Sequence, residues 1–149
     1  MDFDLNRCFA QDGHGYEKDR AQQLKTVLCV TDVFIDLHAT IKPSIPFICC
    51  PILDTTHLDY LPITKVVHGK GLYAAGIHAA YADTYVAEQG GIGITIEAGQ
   101  MDDRSKVQLF TDSLRALITQ GEKIHKEKEY LHAYENVVAD KGFTFTKDW

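Results

Sequence analysis

The feature that most constrains this chain is the run Val33-Phe34-Ile35-Asp36-Leu37-His38. Four apolar residues surround one Asp and lead straight into a His, with the turn former Pro43 close behind. Such a run predicts a buried strand that presents an imidazole at its carboxyl end. In open α/β sheets that end is where ligands bind. A second run, Ile92-Gly93-Ile94-Thr95-Ile96-Glu97, also closes on an ionisable side chain. One strand delivers an imidazole and the other a carboxylate, so the pair points to a site between them.

The rest of the chain alternates helix and strand signals. Residues 1–15 read as loop and contain Asp4-Leu5-Asn6-Arg7. Ala21, Leu24, Val27 and Leu28 recur at helical spacing and predict an amphipathic helix over residues 16–28. Phe47-Ile48-Cys49-Cys50 and Val66-Val67-His68 read as short strands. Asp83 is placed to cap a helix over residues 84–89 that Gly90 and Gly91 close, and a turn is expected through Gly99. A second helix is expected from about 103 to 120, and strands over 129–138 and 143–146. The class is α/β: a mixed β-sheet flanked by helices.

Composition removes several function classes. At 149 residues the chain suits one domain. A net charge of −6 with scattered Lys and Arg argues against a nucleic-acid partner, which needs a concentrated basic face. No apolar run approaches the roughly 20 residues of a membrane span, and the start lacks a signal-peptide pattern. Cys8, Cys29, Cys49 and Cys50 form no CxxC pair, so they are expected to be reduced thiols of a cytoplasmic protein.

Chemistry-bearing residues converge on the two strands. His38 is a metal-ligand candidate through neutral imidazole, and Asp36 lies two residues earlier on the same strand face. Glu97 is a candidate general base, since a carboxylate beside Ile94-Thr95-Ile96 is costly to bury without a purpose. Asn6 and Arg7 are suited to gripping a carboxylate, the guanidinium as a rigid two-pronged donor. Each also has a plain structural reading, as a satisfied buried group or a solvated side chain. His57, His68, His78, His125 and His132 have no ligand-like spacing and read as surface or loop histidines. None of the cysteines stands beside a His in a nucleophile pattern, which weakens a thiol-dependent hydrolase.

Taken in order, Asp4-Leu5-Asn6-Arg7, the Tyr16-Glu17 to Arg20-Ala21 helix start, Asp36-Leu37-His38 and Gly93-Ile94-Thr95-Ile96-Glu97-Ala98-Gly99 resemble the succinylglutamate desuccinylase/aspartoacylase family. Its members are zinc-dependent amidohydrolases related to the zinc carboxypeptidases. The resemblance implies a zinc-carboxypeptidase-like fold, Zn2+ on His38, Glu97 as catalytic base, and Asn6 and Arg7 on the substrate carboxylate. The implied reaction hydrolyses the amide bond of a small-molecule N-acyl amino acid or related compound. The family's other two zinc ligands lie on an H-x-x-E upstream of the Asp-Leu-Asn-Arg segment, and a β-rich domain follows its catalytic domain. The expectation is therefore a chain truncated at both ends, with residues 1–128 as a partial catalytic domain and 129–149 as the start of the β-rich region. His14-Gly15-Tyr16-Glu17 is itself an H-x-x-E and offers a substitute ligand pair, but the family register puts Glu17 in the helix after Asn6-Arg7, away from the metal. The better reading is a solvent-facing helix start with Glu17 near the positive end of the helix dipole. The alternative is a catalytically incompetent fragment or non-enzymatic binding module of the same fold. Self-association into a homo-oligomer is compatible with either.

Overall fold

The computed structural model describes residues 4–10, 13–69, 81–124 and 126–132. After a 3-10 turn at Leu5–Arg7, the elements are α1 (Tyr16–Leu28), β1 (Val33–Thr40), β2 (Phe47–Cys50), α2 (Thr55–Leu58), β3 (Lys65–His68), α3 (Ala82–Glu88), β4 (Ile92–Gln100), α4 (Val107–Thr119) and β5 (Glu129–His132). A second 3-10 turn, Arg104–Lys106, leads into α4, where Asp103 accepts the Ser105 N–H and pairs with Lys106. The strands form one mixed sheet in the order β1-β4-β2-β3-β5. β1 and β4 are parallel, β2 runs antiparallel to β4, and β2, β3 and β5 are parallel to one another.

Alternation along the strands divides the residues between two faces. One carries Ile48, Val66, Ile94 and Ile96, all essentially inaccessible, and packs with Phe110 and Leu114 of α4, Leu58, Leu61 and Ile63. The other receives α1 and α3: Ala21 and Leu28, Ala82 and Val86 pack with Cys8, Phe9 and Phe34. The result is helix on both sides of a sheet, the arrangement the alternating pattern predicts.

Two boundaries differ from the sequence expectation. α3 starts at Ala82, so Asp83 lies inside its first turn while Tyr81 takes the N-cap position without a side-chain capping bond. The turn expected through Gly99 is a strand that continues to Gln100. The register passes from His38↔Glu97 to Thr40↔Gln100, which places one extra residue on β4. Gly99 has φ +98 in that segment, a backbone state that a bulge uses and glycine tolerates best. The expected strand over 129–138 is seen as β5 for residues 129–132; its remainder and the strand expected at 143–146 lie outside the described residues.

Gly93 lets α3 lie against β4. A Cβ there would stand 2.0 Å from the Asp83 carbonyl oxygen and 2.6 Å from its carbonyl carbon, backbone atoms that cannot rotate away. Gly93→Ala must therefore displace α3, and is expected to cost at least about 3 kcal/mol, beyond the usual range for overpacking. The urea midpoint read by circular dichroism checks it, and an unchanged midpoint would contradict the close packing of α3 on β4.

Candidate functional site

The face that receives α1 and α3 is polar towards the carboxyl ends of β1 and β4. Across it Asp36 pairs with Thr95, and His38 with Glu97, in a parallel register that aims both pairs to the same side. The antiparallel β2 extends the rows with Cys49 opposite Thr95 and Phe47 opposite Glu97. The two side chains expected to share a site are therefore neighbours on adjacent strands.

His38 is held by its own strand. Its Nε2 lies 2.9 Å from Asp36 Oδ2, and both side chains are part-exposed. A neutral imidazole that donates Nε2–H to the carboxylate keeps its lone pair on Nδ1. A carboxylate behind the ring is how metal-ligating histidines are commonly oriented.

Asp36 is in turn held by Asn6. The Asn6 Nδ2 donates to Asp36 Oδ2 at 3.1 Å, while Asn6 Oδ1 accepts the Ala82 N–H at 2.9 Å. One carboxamide thus ties the N-terminal turn to β1 and to the start of α3. Asn6 reaches the expected site, with its oxygen and one N–H already committed to the fold. Arg7 lies beside it. Its guanidinium donates to the Asn6 carbonyl at 2.8 Å, stacks 4.1 Å over the Tyr81 ring, and stands 3.7 Å from Asp4. The guanidinium is about two-fifths exposed, so it can still present donors outward.

Glu97 is half-buried, and burial pushes its carboxyl up from the ordinary value. The neighbouring His38 ring pulls the other way, and the Asp36 charge adds to the rise. The carboxyl therefore senses both members of the His38–Asp36 pair. A raised carboxylate beside an imidazole can hold and release a proton nearer neutral pH than an exposed glutamate does.

Asp83, which sequence reasoning placed as a simple cap, is 1% exposed. It accepts the Thr84 N–H at 2.6 Å and the Thr95 hydroxyl at 2.8 Å. Thr95 therefore links α3 to the strand that carries Glu97. Its Thr-x-Glu alternation is visible in the sequence; its partner twelve residues upstream is not. Cys49 is pushed up to about 12 by burial, then by Glu97 and Asp83. Cys50 is likewise pushed to about 12, chiefly by burial. Both thiols stay protonated near neutral pH, which disfavours either as a nucleophile.

A metal fit is incomplete. Among the described residues no three His, Cys, Asp or Glu side chains stand together as a ligand group. His38 is one donor where zinc sites use at least three from the protein. His14 is exposed, Glu17 is buried in the first turn of α1, and the two join no such group. Among the described residues, no helix is long and apolar enough to cross a membrane.

The family model described as succinylglutamate desuccinylase/aspartoacylase catalytic domain matches residues 1–119. No curated protein matches the chain. Among solved structures, the chain is similar to a succinylglutamate desuccinylase from Vibrio parahaemolyticus, with TM-score 0.69 and 20% identity, covering 94% of this chain and 54% of that one. A succinylglutamate desuccinylase from Vibrio cholerae gives TM-score 0.67 and 20% identity, over 89% of this chain and 45% of that one. The corresponding protein from Chromobacterium violaceum gives 0.66 and 21%, over 85% and 47%. The chain thus spans about half the length of these structures, and the likeness is one of fold.

Two outcomes follow from the geometry. Asn6→Ala leaves the Asp36 carboxylate and the Ala82 N–H short of a partner, and is expected to cost about 2 kcal/mol, whereas Arg7→Ala, which loses an exposed ring contact, is expected to cost under about 1 kcal/mol. Urea unfolding of both variants side by side checks the difference; equal losses would contradict the bridging role of Asn6. For Glu97 the folded pKa is raised, so the folded state holds the proton more tightly than the unfolded chain. Its contribution therefore falls as pH rises through the interval between the unfolded and folded values. Glu97→Gln is expected to raise the urea midpoint at pH 7, with the gain vanishing below the ordinary glutamate range. A gain that grows on acidification would reverse the sign.

Proposed function

Because the chain belongs to the succinylglutamate desuccinylase/aspartoacylase catalytic-domain family, we propose that it is built for hydrolysis of the amide bond of a small N-acyl amino acid or a related compound. The observation that carries this reading is the pairing of His38 with Glu97 at the carboxyl ends of two parallel strands. In the proposal Glu97 is the catalytic residue. It takes a proton from the attacking water and returns it to the departing amine, a cycle that suits a carboxyl held above its ordinary pKa. Asp36 orients the His38 ring through the 2.9 Å contact, and Asn6 fixes Asp36. Arg7, stacked on Tyr81 beside Asn6, receives the substrate's carboxylate, with the second Asn6 amide N–H beside it.

Zinc is the cofactor of this proposal, with His38 as one ligand through Nδ1. The described residues alone do not fit the ion, since at least two further protein ligands are required. The ring geometry supports His38 in that role, because Asp36 occupies the opposite nitrogen. We place the protein in the cytoplasm, in keeping with four cysteines that are all free.

A second reading is a fragment or binding module of the same fold that does not catalyse. Metal analysis of the purified 149-residue chain separates the two. Stoichiometric zinc with amide hydrolysis supports the enzyme; a folded, metal-free and inactive chain supports the binding module.

Where hydrolysis is measured, Glu97→Gln is expected to lower kcat by about 10²-fold or more, the usual scale of a lost general base. Near-normal turnover with metal still bound would remove Glu97 from the role. Arg7→Ala is expected to raise KM for substrates bearing the free carboxylate and to leave carboxylate-free analogues nearly unchanged. Equal loss on both substrate classes would overturn the assignment of Arg7.

A further inference from the structure

His68 and His132 read from the sequence as unrelated surface histidines, 64 positions apart. In the fold His68 ends β3, His132 ends β5, and the two are register partners in a parallel pair. Their rings leave the sheet on the same side, with centroids 4.8 Å apart. The two Nδ1 atoms are 3.4 Å apart. Two nitrogens that each bind one tetrahedral ion at about 2.1 Å stand roughly 3.4 Å from each other. We propose that His68 and His132 form a two-imidazole binding site for a borderline divalent transition metal, separate from the site at His38 and Glu97.

The sheet itself separates the two places. His68 is in register with Cys50, and β2 runs antiparallel to β4. The carboxyl ends of β2, β3 and β5 therefore lie at the opposite end of the sheet from those of β1 and β4. Alternation also puts His68 and His132 on the face that carries Ile48, Val66 and Ile96, whereas His38 and Glu97 project from the other.

The local chemistry suits a metal of this class. Imidazole favours zinc, copper and nickel over calcium or magnesium. The neutral ring is the ligand form. Burial and the neighbouring His132 hold the His68 pKa below its ordinary value, which favours that neutral form of the His68 ring. Without metal, one Nδ1–H donates to the other Nδ1. On binding, the donor ring moves its proton to Nε2 by exchange with water, so two neutral rings release no net proton. Tyr130 meets His68 edge-on at 6.4 Å and walls one side. Cys50, the next side chain along the row, keeps its proton because burial pushes its thiol to about 12. Among the described residues no third His, Cys, Asp or Glu stands with the two rings.

The test titrates Zn2+ alone into the full chain carrying His38→Ala, so that metal at the other site does not contribute. Calorimetry is expected to show one equivalent bound, and proton NMR to show the His68 and His132 ring signals shifting together. Adding His132→Gln, a change at an exposed position, is expected to weaken binding at least about tenfold, a scale on which even outer-shell partners act. His68→Gln is expected to do the same, with circular dichroism confirming that each variant is folded. Unchanged zinc affinity in both glutamine variants would overturn the site. So would a folded His38→Ala chain that takes up no zinc at millimolar concentration, or zinc that shifts other histidine rings and not these two.

Discussion

The parallel pairing of β1 with β4 is the constraint on which the rest of the structure depends. Its register runs unbroken from Val33↔Ile92 to His38↔Glu97. A slip of one residue would exchange the faces of one strand against the other, sending Ile94 and Ile96 out of the core and bringing Thr95 and Glu97 into it. Because the core is fixed by those isoleucines, the polar alternates are fixed as well. The proximity of imidazole and carboxylate is therefore a consequence of hydrophobic burial, with no direct bond between them required.

Charge on that polar face has to be managed, since three carboxyl groups gather there: Asp36, Asp83 and Glu97. Asp36 is satisfied by Asn6 and His38, and Asp83 by the Thr84 N–H and the Thr95 hydroxyl. Glu97 is left as the group whose ionisation burial resists. Buried polar groups ordinarily find partners, and a carboxyl that is only half-protected from water keeps its charge at some cost. The difference between Asp83 of α3, bonded to Thr95, and Glu97, two residues beyond Thr95 on β4, sorts a structural acid from one that can exchange a proton. Cys49 stays a thiol chiefly because it is buried, and both carboxylates add to that effect.

Much of this was legible in the residues, for reasons of range. The two apolar runs announced β1 and β4 because strands between helix layers carry near-continuous apolar sequence, although β1 ends the strand order and is only partly buried, with Leu37 exposed. The α1 periodicity likewise needs only local information. The antiparallel insertion of β2 between β4 and β3 was not legible, because short apolar runs carry no sign of strand direction. Asn6 was legible as a polar residue near a candidate site, yet its bonds to residues 36 and 82 depend on chain reversals that no local pattern encodes. Asp83 misled for a related reason. Its spacing before Thr84 to Gln89 suits a cap, and it does accept the Thr84 N–H, but α3 begins at Ala82, so Asp83 lies inside the first turn, where Gly93 lets its backbone pack against β4. The His68–His132 pair is the extreme case, since only the β3–β5 register joins the two rings.

The bulge after Glu97 shows how the fold ends order and begins a site at one point. Up to His38↔Glu97 every residue of β1 has one partner on β4; immediately beyond, β4 carries an extra residue before Thr40↔Gln100 resumes. A bulge bends its strand and increases the local twist. Placed directly after Glu97, it turns the following segment out of the regular ladder at the level where His38 and Glu97 project. Gly99 makes this turn with φ +98, and its missing Cβ would stand 3.2 Å from the Ser44 carbonyl oxygen, so the β1–β2 connection closes down on the bulge. A side chain at that position would meet both an unfavourable backbone state and a tight neighbour. The geometry around the carboxylate at position 97 is thus set by a residue with no chemistry of its own, two positions further along the chain.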